Sequence, residues 1–249
     1  MGTPGNDRVY IHEYVNIIGH ARAHYMHHIT ANWAVIAREE RQQLCVGVWA
    51  TVGITSRWPE VVNIWEDTGW EGLAASLEHE YSAPTLQDPS LAAWWAKAAE
   101  FRSGGLDRIL TPAPWSPTVA DLDERKVGGQ CYVHELTKLR PHGAPRYFDA
   151  LEMHGIDLHA EFGFALVGAY KNTLVLGTEC LTVWAVPTYL DWTKSEQARN
   201  SDSKLAKWVD GLSGLVTESE RVLLADAPLS PRKLGRQPVA ADRSSYELP

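Results

Sequence analysis

The chain repeats itself, and a repeated chain folds as two copies of one unit. Tyr10, His12 and Glu13 return as Tyr132, His134 and Glu135 at a spacing of 122 residues. At that same spacing His20 meets His142 and Tyr25 meets Tyr147. Further along, Val61–Trp65 returns as Cys180–Trp184 at a spacing of 119, and Leu91, Trp94 and Trp95 return as Leu205, Trp208 and Val209 at 114. Asp107–Leu110 then falls on Glu220–Leu223, and Ala113–Pro117 on Ala227–Pro231. The order is kept while the spacing drifts by loop-sized steps, which is the mark of a duplication whose loops have since changed length.

Each copy has the same order of elements. A strand of period two comes first (Val9–Val15; Tyr132–Leu136), then a helix that begins after Gly19 in one copy and near Pro145 in the other. Two strands follow, Cys45–Val52 with Val61–Glu66 and Ala165–Tyr170 with Cys180–Val186. Two helical stretches come next, Glu71–Tyr81 with Leu91–Phe101 and Leu190–Ala198 with Lys204–Leu215, before a closing strand at Arg108–Thr111 or Arg221–Leu224. That is βαββαβ with one added helix, so the fold class is α+β, two tandem ferredoxin-like repeats with antiparallel sheets. The boundaries read 1–111 for the first repeat, 112–130 for a linker, 131–231 for the second repeat and 232–249 for a polar tail without periodicity. The tail is expected to be disordered or draped over a neighbour.

Composition narrows the function. A net charge of −8 with no basic cluster among aromatics argues against nucleic acid and against an anionic membrane surface. The longest apolar runs are strand-sized, and no charged-then-apolar leader is seen, so neither a membrane span nor a signal peptide is expected. Cys45, Cys131 and Cys180 are widely spaced without a CxxC pair and read as buried thiols in a reducing cytoplasm. GxSxG, GxGxxG and GxxxxGK[ST] are all absent, so neither nucleophilic hydrolysis nor a nucleotide cradle is indicated.

Ile11–His12–Glu13–Tyr14 ending at Gly19, with Val46–Trp49, Gly53 and Val61–Trp65, resembles the opening strand and the second and third strands of NIPSNAP-type domains. The resemblance covers most of each half, more loosely in the second. It implies the dimeric α+β barrel superfamily, in which two ferredoxin-like sheets pack face to face as a barrel, and here one chain carries both. The arginine typical of the first strand is His12 in one half and His134 in the other.

Alternation along the strands separates two faces. Val9, Ile11, Val15, Val62 and Ile64, like Val133, Leu181 and Val183, read as the side under the helices. Tyr10, His12, Tyr14, Trp49, Asn63, Trp65, Tyr132, His134, Tyr170 and Trp184 read as the lining of a cavity between sheets, since an inter-sheet core is ordinarily aliphatic. His12 and His134 are the candidate acid–base groups, with Tyr14 as a hydrogen-bond donor. Tyr10, Trp49, Asn63, Trp65, Tyr132, Tyr170 and Trp184 would hold a small apolar or aromatic substrate. Glu13 and Glu135 fall on the helix-facing side, where a carboxylate needs a partner. An ion pair is expected there before catalysis.

On the first helix His20, His24 and His28 recur every four residues, and His24 with His28 form a candidate divalent metal pair. The superfamily also contains haem enzymes, for which His154 and His159 would be the nearest axial candidates. Exposed sheet edges and the histidine-rich helix point to a homodimer. The leading expectation is a lyase, isomerase or oxygenase working by acid–base groups without a bound cofactor. A haem- or metal-dependent barrel enzyme and a non-catalytic NIPSNAP-like binding or assembly protein stay open beside it.

Overall fold

The computed structural model describes residues 5–55 and 57–244. It divides into two compact units, Asp7–Ile109 with Ala225–Pro249 and Met1–Asn6 with Leu110–Leu224. Each is a ferredoxin-like α+β unit, and they are called the first and second halves below.

In the first half β1 (Val9–Ile17) pairs antiparallel with β3 (Glu60–Asp67), which pairs with β2 (Leu44–Thr51). The closing strand β4 (Arg102–Pro112) takes the other edge of β1, so the order is β4-β1-β3-β2. In the second half β5 (Cys131–Leu139), β6 (Ala165–Asn172), β7 (Glu179–Val186) and β8 (Val216–Asp226) repeat it as β8-β5-β7-β6. The duplication seen in the sequence is therefore a duplication of sheet topology.

The helices follow from their caps. Asp88 accepts from the Leu91 amide and Pro89 supplies a preset first turn for Pro89–Ala98. Thr188 and Ser203 cap Tyr189–Arg199 and Lys204–Gly211 in the same way. A reciprocal Thr118–Asp121 box starts a short helix, Val119–Glu124, inside the stretch read as a linker. The first helix of each half widens into a π turn at its middle, His28–Trp33 in one and Leu151–Gly155 in the other.

Register decides which side chains share a face, because residues directly opposite in an antiparallel pair point the same way. Glu13 lies opposite Asn63 and Ile11 opposite Trp65, while His12 lies opposite Ile64 and Tyr14 opposite Val62. Asn63 and Trp65 thus belong to the helix side with Glu13, where Trp65 packs among Tyr25, Met26, Trp33 and Trp94. Glu135 likewise lies opposite Thr182, and Val133 opposite Trp184, whose indole stacks on the helix residue His159. Asn63, Trp65 and Trp184 are therefore removed from the face carrying His12 and His134, and the aliphatic Val62, Ile64, Leu181 and Val183 take their place. Glu13 accounts for two of the three: its donors Asn63 and Trp65 must lie on its own face.

A matching glycine in each half lies under an aromatic ring. A Cβ on Gly47 would stand 2.1 Å from the Trp49 ring, and one on Gly168 would stand 2.0 Å from the Tyr170 hydroxyl. Each sits at a bulge, so the second strands of both halves fold an aromatic ring back over bare backbone.

The described part of the tail, 232–244, is not loose, and 245–249 lie outside the described residues. Gln237 bonds both backbone groups of Cys45, Arg232 donates to the Val46 carbonyl, and Arg243 donates to the Ala31 carbonyl. A polar segment without periodicity can be ordered through backbone groups that an edge strand leaves open. Among the described residues no helix is long and apolar enough to cross a membrane.

Candidate functional site

The second half holds a cavity of about 450 Å³ between its sheet and its helices, at the lower end of the range for ligand sites. Its floor is polar. β5 contributes Glu135 and Thr137, β8 contributes Ser219 and Arg221, and the helix Tyr189–Arg199 contributes Glu196 and Arg199. Its walls are Tyr147 from the first helix, Trp208 and Val209 from Lys204–Gly211, and Leu212 and Val216 beyond it.

Glu135 is 8 % exposed and lies directly opposite Arg221 across β5 and β8. Burial alone would raise its carboxyl, but Arg199 and Arg221 outweigh burial and hold it below the usual carboxylate range. It is ionised at neutral pH. Yet it is not clamped. Arg199 stands 3.9 Å from Glu135 Oε2, beyond hydrogen-bond length, and Ser219 Oγ donates to Oε1 at 3.3 Å. Arg221 spends both terminal nitrogens on Glu196.

Arg199 is turned instead toward His159, whose Nε2 it meets at 2.8 Å. His159 Nδ1 lies 2.7 Å from the Gly155 carbonyl, which makes Nδ1 the donor and Nε2 the acceptor. Burial and then the Arg199 charge push this imidazole down to about 4, so it is neutral. Burial also pushes the Tyr147 phenol well up, with Glu135 adding to the effect, which keeps it a neutral hydroxyl beside Thr182 at 3.4 Å.

The equivalent position in the first half is built differently. Glu13 Oε2 accepts from Trp65 Nε1 at 2.7 Å and from Asn63 Nδ2 at 3.0 Å, and Asn63 also donates to the Tyr25 hydroxyl. Burial raises the Glu13 carboxyl, and the neighbouring Asp107 raises it further, against the pull of those donors and of Arg102. The repeat aligned Arg108 with Arg221. The structure instead aims Arg108 over the Tyr14 ring, 5.4 Å from its centroid, on the opposite face. Asp107, the residue before Arg108, is the acidic group that acts on Glu13.

The other residues singled out in the sequence fall as follows. His12 and His134 are both fully buried, His12 edge-on to Tyr14 at 4.8 Å. Tyr14 also lies under the Arg57 guanidinium, and Tyr10 donates to Glu66 at 2.8 Å. Tyr132 and Tyr170 are buried, with Tyr132 opposite Ala185 and Tyr170 opposite Leu181, on the His134 face. None of these side chains lines the cavity described above.

His24 and His28, the candidate metal pair, have the following neighbours. His28 stacks on Trp94 at 5.1 Å with its Nε2 on the Trp94 carbonyl and its Nδ1 on Asn32, while His24 lies against Phe101. His24 and His28 keep the i, i+4 relation, the His28 N–H donating to the His24 carbonyl, and the π turn follows them. Among the described residues the group able to gather three ligand atoms is Glu40, His79 and Asp88, and there Asp88 already pairs with Arg41 and caps a helix. The cysteines are free and buried, and burial pushes their thiols up, Cys131 to about 11, which favours the neutral thiol.

Haem does not fit these residues as they stand. The Nε2 of His159 is the atom that would ligate iron, and it faces a guanidinium; His154 is exposed and lines no part of the cavity.

No protein-family model matches the chain, and no curated protein does. Solved structures do. It is similar to an anthrone oxidase-like protein at 12% identity and a TM-score of 0.62, over 89% of this chain and 92% of that one. It is also similar to a provisionally named monooxygenase from Lactobacillus acidophilus (9%, TM-score 0.57, over 88% and 94%). A third likeness is to a provisionally named chlorite dismutase (10%, TM-score 0.51, over 98% and 100%). At these identities the likeness shows the fold alone, α+β with ferredoxin-like halves. The NIPSNAP name itself finds no counterpart among the three.

Proposed function

We propose that this chain is a small-molecule enzyme that works by proton transfer in the helix–sheet cavity of its second half. The observation that carries the reading is Glu135: a buried, ionised carboxylate at a cavity, with its nearest cation 3.9 Å away instead of hydrogen-bonded to it. A carboxylate so held can take a proton from a carbon acid. The electron pair left on the substrate delocalises onto its oxygen, beside the guanidinium of Arg199 and the neutral phenol of Tyr147. Val209, Leu212 and Val216 exclude water from the apolar part of the substrate. Some lyase, isomerase and cofactor-free oxygenase reactions begin with such a carbanion. The three structural relatives, two of them named as oxidising enzymes, are in keeping with this reading.

His12 and His134, on the opposite faces of their sheets, are the rival acid–base groups, and a non-catalytic binding role is the rival to any enzyme. One experiment addresses all three. Exchange of C–H for deuterium in a panel of ketones, diketones and phenols is followed by proton NMR in D2O. We expect catalysed exchange that Glu135→Gln reduces by about 100-fold or more and His134→Ala leaves within a few-fold. Exchange that survives Glu135→Gln but dies with His134→Ala would move the site to the other face. No exchange across the panel would favour the binding role.

A further inference from the structure

The open carboxylate of Glu135 needs a cause in the residues around it. A guanidinium beside a buried carboxylate ordinarily closes on it in a short, two-pronged pair. Such a pair occupies the oxygen lone pairs and weakens the group as a base. Here Nη2 of Arg199 stands 3.9 Å from Glu135 Oε2 but 2.8 Å from His159 Nε2. One nitrogen is contested by two acceptors, and the imidazole has it. The other cation near the glutamate, Arg221, is occupied by Glu196.

His159 is itself firmly placed. Its Nδ1 lies 2.7 Å from the Gly155 carbonyl, one helical turn earlier. Its ring lies flat on the Trp184 indole, centroids 4.2 Å apart and planes 9° from parallel, and Trp208 meets it edge-on at 5.7 Å. A carbonyl only accepts and a guanidinium only donates, so the proton sits on Nδ1 and the Nε2 lone pair faces Arg199. Burial, with the Arg199 charge behind it, pushes the imidazole down to about 4, so that lone pair is present at neutral pH. His159 is 1 % exposed and lines no part of the cavity, so it can reach a substrate only through Arg199.

The first half lacks both parts. At the spacing of 122 that sets Tyr25 on Tyr147, Ala37 stands for His159. At the spacing of 119 that sets Trp65 on Trp184, Glu80 stands for Arg199. Ala37 is fully buried and offers no side-chain acceptor, and Glu80 pairs with Arg41. Imidazole and guanidinium thus occur together in the half whose first-strand glutamate faces a cavity. We infer that His159 is the positioning residue of this site: by accepting from Nη2 it holds Arg199 short of Glu135 and leaves the carboxylate open to a substrate proton. This inference rests on Glu135 being the base.

Two substitutions in the whole chain test it. His159→Phe keeps a flat ring on Trp184 and removes the acceptor, whereas His159→Gln offers an amide oxygen in place of Nε2. Glu135 is followed through its carboxyl carbon by 13C NMR, and deuterium exchange is followed on the same ketones, diketones and phenols. In His159→Phe, Arg199 is expected to close on Glu135, which then titrates at lower pH than in the parent, while exchange falls by about tenfold or more. His159→Gln is expected to return both most of the way. In the parent, two-bond proton–nitrogen correlations are expected to place the imidazole proton on Nδ1. A proton on Nε2, a Glu135 transition unmoved in His159→Phe, or equal losses in both variants overturns the positioning role, while exchange by the parent keeps Glu135 as the base. No exchange by the parent overturns the proposed function and the positioning role together.

Discussion

Glu13 and Glu135 occupy the same place in two copies of one unit, on the first strand and facing the helices, yet the molecule holds them in opposite ways. Around Glu13 the partners are neutral donors, Trp65 and Asn63, with the carboxylate of Asp107 nearby. Around Glu135 the partners are two guanidiniums. The first arrangement favours the protonated acid and the second the carboxylate. The helices differ to match. In the first half Trp33 and Trp94, 5.4 Å apart, pack against the core. In the second half Gly155 stands at the corresponding point of the first helix, close under Trp208, and a cavity lies beside that indole. Duplication supplied two helix-facing carboxylates, Glu135 buried and Glu13 half-buried. One became part of a packed core and the other was left facing open space, which shows how small the step is from a structural polar group to a reactive one.

The largest effect that would break this comparison is on stability. Glu135→Gln removes the anion that balances Arg199 and should cost about 3 kcal/mol at neutral pH, read by chemical denaturation. Equal stability of this variant and the parent would mean that the guanidiniums do not depend on Glu135. Acid should act the same way. Because the Glu135 pKa is depressed in the folded state, its contribution is present above the ordinary carboxylate value and is lost as pH falls through the folded one. His159 adds to that loss between its ordinary value and about 4.

The next effect should be alike in the two halves. Gly47→Ala and Gly168→Ala each drive a methyl group into an aromatic ring system and should cost about 1–3 kcal/mol apiece. A large difference between them would mean that the shared bulge does not do the same work in both copies. The smallest effect belongs to Glu13→Gln, whose amide oxygen can keep accepting from Trp65 and Asn63. Its stability at neutral pH should stay within about 1 kcal/mol of the parent. The sign of its pH dependence is the opposite one: with a raised folded pKa, Glu13 contributes below its ordinary value, and that contribution fades as pH rises through the folded value. Glu13→Gln should flatten this part of the profile in melts between acid and neutral pH.

Much of this was readable from residues alone. The recurrence of Tyr10–His12–Glu13 as Tyr132–His134–Glu135 gives the topology, and the alternation in β1 and β5 puts both glutamates on the helix side in need of partners. The identity of those partners was not readable. Alternation gives the faces of one strand but not its phase against a neighbour, so Asn63, Trp65 and Trp184 went to the wrong side until the pairing register was known. The bulges at Gly47 and Gly168 shift that phase again within β2 and β6. The cavity was hidden for a different reason. Arg199, Trp208 and Leu212 come from two helices some sixty to eighty residues after Glu135, and nothing local in either segment says that they meet it. One signal was present: Arg221 lies on the closing strand, which a ferredoxin-like order must seat beside the first.

The most direct test of the central claim is the titration of the two glutamates in one sample, followed through the side-chain carboxyl carbons by 13C NMR and assigned by the resonance lost in Glu13→Gln and in Glu135→Gln. Two separate transitions are expected on opposite sides of the ordinary glutamate value, Glu13 above it and Glu135 below. Two transitions on the same side, or Glu135 titrating above Glu13, would contradict it, and with it the assignment of Glu135 as the ionised group that takes the proton.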